Sequence, residues 1–120
     1  MKISNIFLLS LMGVGFQNIY AEDRYYVWCS HLDFKEERAS FSPVRSISMK
    51  NMNQFNNDDL TSKYAEDIGR AGRTACYGGS DYSEVDHGRD RGIKFSEDNH
   101  WKVVIVERSG YFEYLRRLYK

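Results

Sequence analysis

An α+β domain is what the sequence predicts: a three-stranded, mainly antiparallel sheet with helices on one face and one disulfide. Period-two alternation of apolar residues marks strands around Tyr25 and beyond Ala39, and Trp101-Lys-Val-Val-Ile-Val106 is the most apolar strand-like run, the natural centre of a sheet. Apolar residues at helical spacing fill the chain between these runs and return at its end. Cysteine occurs twice, at Cys29 in the first strand and at Cys76 ahead of the second helix.

The chain opens with Met1-Lys2, continues through an apolar run from Ile6 to Phe16, and meets its next charge at Glu22. This reads as a signal peptide, residues 1–21, cleaved after Ala21. The apolar run is shorter than the roughly 20 residues a membrane span needs, which disfavours the competing reading of a retained anchor. Residues 22–120 then form a single small domain, periplasmic or secreted. The whole chain carries 17 basic and 17 acidic side chains, so loss of Lys2 leaves the exported part with one more acid than base. No field of that size recruits nucleic acid, and no nucleic-acid partner is expected. Export to an oxidising compartment predicts a Cys29–Cys76 disulfide. Closing a loop of that length is worth about 4 kcal/mol in the chain-entropy model. The rival zinc reading lacks the ligand spacing such sites use.

Strand one runs from Arg24 to Leu32. Tyr25, Val27, Cys29 and His31 fall on one face and Tyr26, Trp28, Ser30 and Leu32 on the other, so it is apolar on both for much of its length. A charged connection, Asp33 to Arg38, leads into strand two, Ala39 to Ser48, where Pro43 removes a ladder donor and marks an edge or a bulge. The Asn-rich stretch Met49 to Asn57 reads as a loop. A helix starts after Asn57 or Asp58, carries Leu60, Tyr64, Ala65 and Ile68 on one stripe, and stops at Gly69 and Gly72. Arg73 to Cys76 and a Tyr-Gly-Gly-Ser turn lead to a second helix, Asp81 to Glu97, with Asp81 and Glu84 at capping-box spacing. Tyr82, Val85, Gly88, Gly92 and Ile93 line its buried face. Interior helix glycines cost about 1 kcal/mol each against alanine. Two at four-residue spacing imply close approach of a neighbour, or else a helix broken near Gly92. After strand three, Trp101 to Val106, Ser109-Gly110 turns the chain into a terminal helix, Tyr111 to Lys120. The predicted order is strand, strand, helix, helix, strand, helix.

Together, Tyr26-Val-Trp-Cys29, Phe41-Ser-Pro-Val44, Ala75-Cys76, Arg89-Asp-Arg91 and Trp101-Lys-Val-Val104 make the chain resemble short exported bacterial proteins with two cysteines. The resemblance spans Tyr25 to Val106, with Tyr111 to Lys120 as an addition. It implies the same fold and disulfide and carries no catalytic residue across.

The densest set of reactive side chains is Glu84, Asp86, His87, Arg89, Asp90 and Arg91. On a helix Asp86 and Asp90 share a face with His87 beside them, a geometry that fits a His–carboxylate pair or a divalent metal. A solvated helix face with local ion pairs, each worth tenths of a kcal/mol, explains the same residues. His31, His87 and His100 raise acid–base phosphodiester cleavage as a second option, without a recognisable spacing. Gly78-Gly79-Ser80 ahead of a helix suits either an anion or a tight turn. The sequence therefore assigns no catalytic residue, metal ligand or cofactor. A small secreted hydrolase such as a nuclease, using His87 with Asp86 or Asp90, stands as the alternative function.

Aromatic side chains carry more information. Tyr25, Tyr26 and Trp28 lie near one end of the exported chain, and the expected partner-binding residues Tyr111, Phe112, Tyr114, Leu115, Arg116, Arg117 and Tyr119 near the other. Tyrosine combines contact area with a polar tip and is enriched at interfaces. The terminal helix, with apolar stripe and basic residues, fits a partner groove or an anionic membrane surface, or packs on its own domain. The expectation is an exported accessory, inhibitor or immunity-type protein that recognises another protein without catalysis.

Overall fold

The computed structural model describes residues 24–50, 55–107 and 109–118; the expected signal peptide lies outside these, as do Tyr119 and Lys120. The long strand β1, Arg24–Asp33, is the centre of the fold. One of its edges pairs antiparallel with β3 (Arg45–Ser48) along Arg24 to Val27 and with β2 (Arg38–Phe41) along Ser30 to Asp33. Its other edge pairs antiparallel with β4, Arg73–Gly79. β5, Lys102–Ile105, lies parallel to β2 and closes that side. With α1 (Asn57–Ile68), α2 (Tyr82–Asp98) and α3 (Gly110–Leu118), the order is β-β-β-α-β-α-β-α.

The α+β class and the disulfide stand, while the sheet differs from the expected three strands: it is mixed and has five. One added strand comes from the break in the expected strand two. Two β1 residues lie between Val27 and Ser30, but three lie between their partners, Phe41 and Arg45. The extra residue is a bulge at Ser42-Pro43-Val44, where Pro43 has no N–H to give. Ser42 bridges the gap. Its N–H donates to the Cys29 carbonyl at 3.0 Å and its hydroxyl accepts from the Cys29 N–H at 2.8 Å. The Ser42 carbonyl, released from the ladder, accepts from Arg89 Nε on α2 at 2.6 Å.

β4 is the other addition. Arg73 to Cys76 and the following Tyr-Gly-Gly form a strand rather than a lead-in and a turn, because the glycines fit against neighbouring side chains, Gly78 against the Tyr25 ring and Gly79 against Val85. A Cβ on Gly78 would sit 2.6 Å from Tyr25 Cε2. The disulfide therefore joins two strands, Cys29 directly opposite Cys76. Trp101 to Val106, expected at the centre, supplies the edge strand β5, whose residues are half-buried or exposed. Length decides this: only β1 is long enough to pair with β4 on one side and two strands on the other.

The helices cover both faces, not one. Val27 and Cys29 of β1 and Ile47 of β3 pack with Leu60 and Tyr64 of α1 and Tyr111, Tyr114 and Leu115 of α3. Trp28, Ala39 and Phe41 face the other way and pack with Val85 of α2. A strand apolar on both faces needs cover on both, as doubly covered sheets show. α2 carries the chain from β4 at one edge to β5 at the other, and its 17 residues span about 25 Å.

Local signals set the helix ends. The Asn56 carboxamide accepts the Asp59 N–H, and Gly69, at φ 67°, ends α1 with its N–H on the Ala65 carbonyl. The Asp81 carboxylate accepts from the Ser83 and Glu84 N–H groups, and α2 runs unbroken through Gly88 and Gly92. Beyond α1, Gly72 takes φ 144° where a Cβ would lie 2.2 Å from the Leu32 carbonyl oxygen, so only glycine fits. Arg70 donates to buried Asp33 at 3.1 Å. The Glu36 N–H on Asp33, helped by Arg70, holds that carboxyl below its usual range.

Candidate binding surface

The expected contact helix is largely core. Tyr111 and Leu115 are fully buried and Tyr114 nearly so. The Tyr111 hydroxyl donates to the Val27 carbonyl at 3.0 Å, its N–H donates to Asp67 at 3.1 Å, and the Tyr114 hydroxyl accepts the Asn56 N–H at 3.2 Å. The apolar stripe of α3 thus packs inward, so these three residues are not open to a partner. Phe112 is half-buried beneath the Arg45 guanidinium, 4.3 Å from its ring centroid. Arg116 is exposed and holds both oxygens of Glu113 at 2.6 and 2.7 Å, which lowers the Glu113 pKa and raises its own. Arg117 lies 5.7 Å over the Tyr114 ring. Of the expected contact residues, Phe112, Arg116 and Arg117 are left at the described surface, and Tyr119 is outside the described residues.

The histidines occupy separate places. His31 is buried on the α1/α3 side of the sheet, its Nε2 donating to the Ala71 carbonyl at 3.2 Å and its Nδ1 2.6 Å from the Thr74 hydroxyl. That polar network holds His31 inside the fold, away from any site it would share with His87 or His100. His87 is exposed on α2, on the opposite side of the sheet, and His100 sits in the turn after α2 at φ 64°. Among the described residues no three His, Cys, Asp or Glu side chains come together to hold a metal. The N–H groups that an anion would need at the start of α2 are taken by the Asp81 carboxylate, and Gly78 and Gly79 belong to β4.

A groove of about 440 Å³ lies between α2 and the neighbouring strands β1 and β4. Trp28 and Val85 form its apolar base, and Tyr77, 50% exposed, stands over Trp28 with ring centroids 4.6 Å apart. Tyr82, 52% exposed, packs edge-on to Tyr26 nearby. Asp81 and Glu84 add two carboxylates where α2 begins.

The two helix glycines part company here. A Cβ on Gly92 would come 3.2 Å from Phe41 Cε1, the close approach that the sequence implies. A Cβ on Gly88 would meet nothing nearer than Arg91 Nη2 at 3.8 Å. Gly88 leaves space beside the helix and Gly92 lets the helix sit down. A smaller apolar depression of about 180 Å³ lies at the C-terminal end of α2, lined by Leu32, Phe34, Phe95 and Trp101, with Phe34 edge-on to Trp101.

Sequence reasoning placed the aromatic surface at the chain ends because it left Tyr77 in a turn. Had Arg73 to Gly79 been paired with β1, the Trp28–Tyr77 neighbourhood would have followed from register alone. Among the described residues no helix is long and apolar enough to cross a membrane. No protein-family model, curated protein or solved structure matches the chain.

Proposed function

We propose that the protein is exported and acts as a small non-catalytic binding module that recognises another protein through the groove beside α2. The Cys29–Cys76 disulfide supports an oxidising destination. The observation that carries the binding reading is the groove itself: an apolar base of Trp28 and Val85 bordered by half-exposed Tyr77, with half-exposed Tyr82 nearby. Desolvated aromatic anchors of this kind dominate protein interfaces. The α3 surface plays the lesser part, since its apolar stripe is already used inside.

Gly88→Leu tests this directly, because its side chain enters the open groove rather than the core. Affinity capture with the tagged, oxidised protein from its own envelope and culture fluid should yield one near-stoichiometric protein. Gly88→Leu should abolish that capture with the far-UV spectrum and melting temperature retained, whereas Arg116→Ala with Arg117→Ala should leave it in place. Capture that survives Gly88→Leu would remove the groove from the interface. Loss of all effect when His31, His87 and His100 become alanine in a folded protein would favour the hydrolase instead.

A further inference from the structure

The backbone of β4 has an unpaired side. Cys29 and Cys76 lie opposite each other with Cα atoms 4.0 Å apart, the close spacing of a non-hydrogen-bonded antiparallel pair. Cys29 agrees independently, since its N–H and carbonyl both turn away from β4 to Ser42. The Cys76 N–H and carbonyl therefore point away from β1, and by alternation those of Thr74 and Gly78 point with them. Among the described residues no strand pairs with that edge. A row of outward N–H and carbonyl groups is a template for another strand.

The side chains specify which strand. Arg73 is exposed at the start of β4, and Asp81 and Glu84 are exposed just past its end. Tyr77 shares a face with Arg73 and Ala75, the face that α2 covers, because Tyr77 opposes Trp28. A strand with a basic start and an acidic end complements itself when turned antiparallel. The exported part's single excess acid adds little net repulsion between copies.

We propose that two copies of the chain pair antiparallel through β4, about a two-fold axis at Cys76 perpendicular to the sheet. Cys76 then faces Cys76 of the second copy and Thr74 faces Gly78, each a hydrogen-bonded pair in which N–H meets carbonyl. Ala75 of one copy faces Tyr77 of the other, a small residue beside a half-exposed ring. Arg73 comes to Gly79 of the other copy, beside its Asp81 and Glu84, at the end of the α2 groove. The axis keeps both α2 helices on one face, so the two five-stranded sheets become one and each groove gains a cation from its neighbour. The pairing stands on β4 alone; its contribution to the groove rests on the binding reading above.

Sedimentation equilibrium of the oxidised protein should show a monomer–dimer equilibrium, and amide exchange at Thr74, Cys76 and Gly78 should slow as concentration rises. Arg73→Glu should weaken the dimer at least tenfold, and Glu84→Arg added to it should restore most of the loss, with near-UV dichroism confirming the fold in each. A monomer at every concentration, or a dimer indifferent to both changes, overturns the pairing. A monomer that protects the same three amides only when its captured protein is added also overturns it, and gives the edge to that partner. Gly88→Leu separates the two readings: a dimer kept with capture lost supports both, and a dimer kept with capture kept rejects the groove while leaving the pairing intact.

Discussion

The two faces of the sheet are built from the same strands and finished differently. Toward α1 and α3, Val27, Cys29, Ile47, Leu60, Tyr64, Tyr111 and Leu115 leave almost no accessible surface, and the disulfide lies among them. Toward α2, the buried set reduces to Trp28, Ala39, Phe41 and Val85, and two depressions remain beside the helix. Two helices supply large side chains on the first face. One helix with glycines at two inward positions covers the second. The larger buried cluster thus lies on the α1/α3 side of β1, where the open space, a groove of about 480 Å³, sits outside that cluster between β3 and α3, whereas the α2 groove reaches the sheet's own aromatic side chains.

The largest break in that comparison comes from Tyr111. Its ring is fully buried edge-on to Tyr64, with centroids 5.7 Å apart, and its hydroxyl reaches the Val27 carbonyl. Tyr111→Ala should cost about 3–5 kcal/mol by urea denaturation. On the other face Val85→Ala removes two methyl groups and should cost about 2 kcal/mol. Equal losses would show that the faces contribute alike.

A sharper contrast lies within the closed face. Tyr64 and Tyr111 are both buried, but the Tyr64 hydroxyl finds no hydrogen-bond partner among the described residues. Burial, followed by the neighbouring Tyr111, raises the Tyr64 pKa above the ordinary tyrosine value. Removing an unsatisfied hydroxyl should leave stability unchanged or raise it by about 1 kcal/mol, whereas Tyr111→Phe loses a made bond and should lower it by a similar amount. The pH sign follows from the raised pKa. Below about pH 10, the unfolded value, the contribution of Tyr64 is fully present, and it is lost as pH rises beyond that by at most about 1.4 kcal/mol per unit. Urea midpoints between pH 9 and 11.5 should therefore fall less steeply in Tyr64→Phe; parallel curves would mean that the hydroxyl is solvated.

Much of this division could be read from the chain, and the failures share a cause. The Asp81 cap, the Gly69 stop, the three helices and the cysteine pair rest on signals a few residues long or on compartment, and each appears in the structure; Pro43, read as an edge or a bulge, is a bulge, and the first helix is capped one residue earlier than expected, by Asn56. β1 showed two apolar faces in its alternation, yet the helices were expected on one face only; the second apolar face is what α2 covers. β4 was hidden because Gly78 and Gly79 carry a turn signal locally, and the Tyr25 ring over Gly78, some fifty residues away in sequence, is what a local reading does not see. The amphipathic stripe of α3 was legible, but periodicity reports only that a face wants covering. Whether Leu115 meets a partner or its own sheet is decided by where the chain returns.

The smallest effect tests the open face most closely, because it compares two glycines on one helix. Alanine at either position should gain up to about 1 kcal/mol from helix propensity. At Gly88 nothing opposes it, since the new methyl group meets only the end of the Arg91 side chain. At Gly92 the methyl group would press on Phe41 at 3.2 Å and approach Trp28 at 3.8 Å, and the core below must shift to admit it. Gly88→Ala should therefore be the more stable variant by about 1 kcal/mol in chemical denaturation. Near-UV dichroism should change only for Gly92→Ala, because only that methyl group meets the buried aromatic rings. Equal gains would mean that α2 floats above the sheet at both positions. Equal losses would mean that the groove beside Gly88 is closed in solution, and with it the surface through which the protein is proposed to bind.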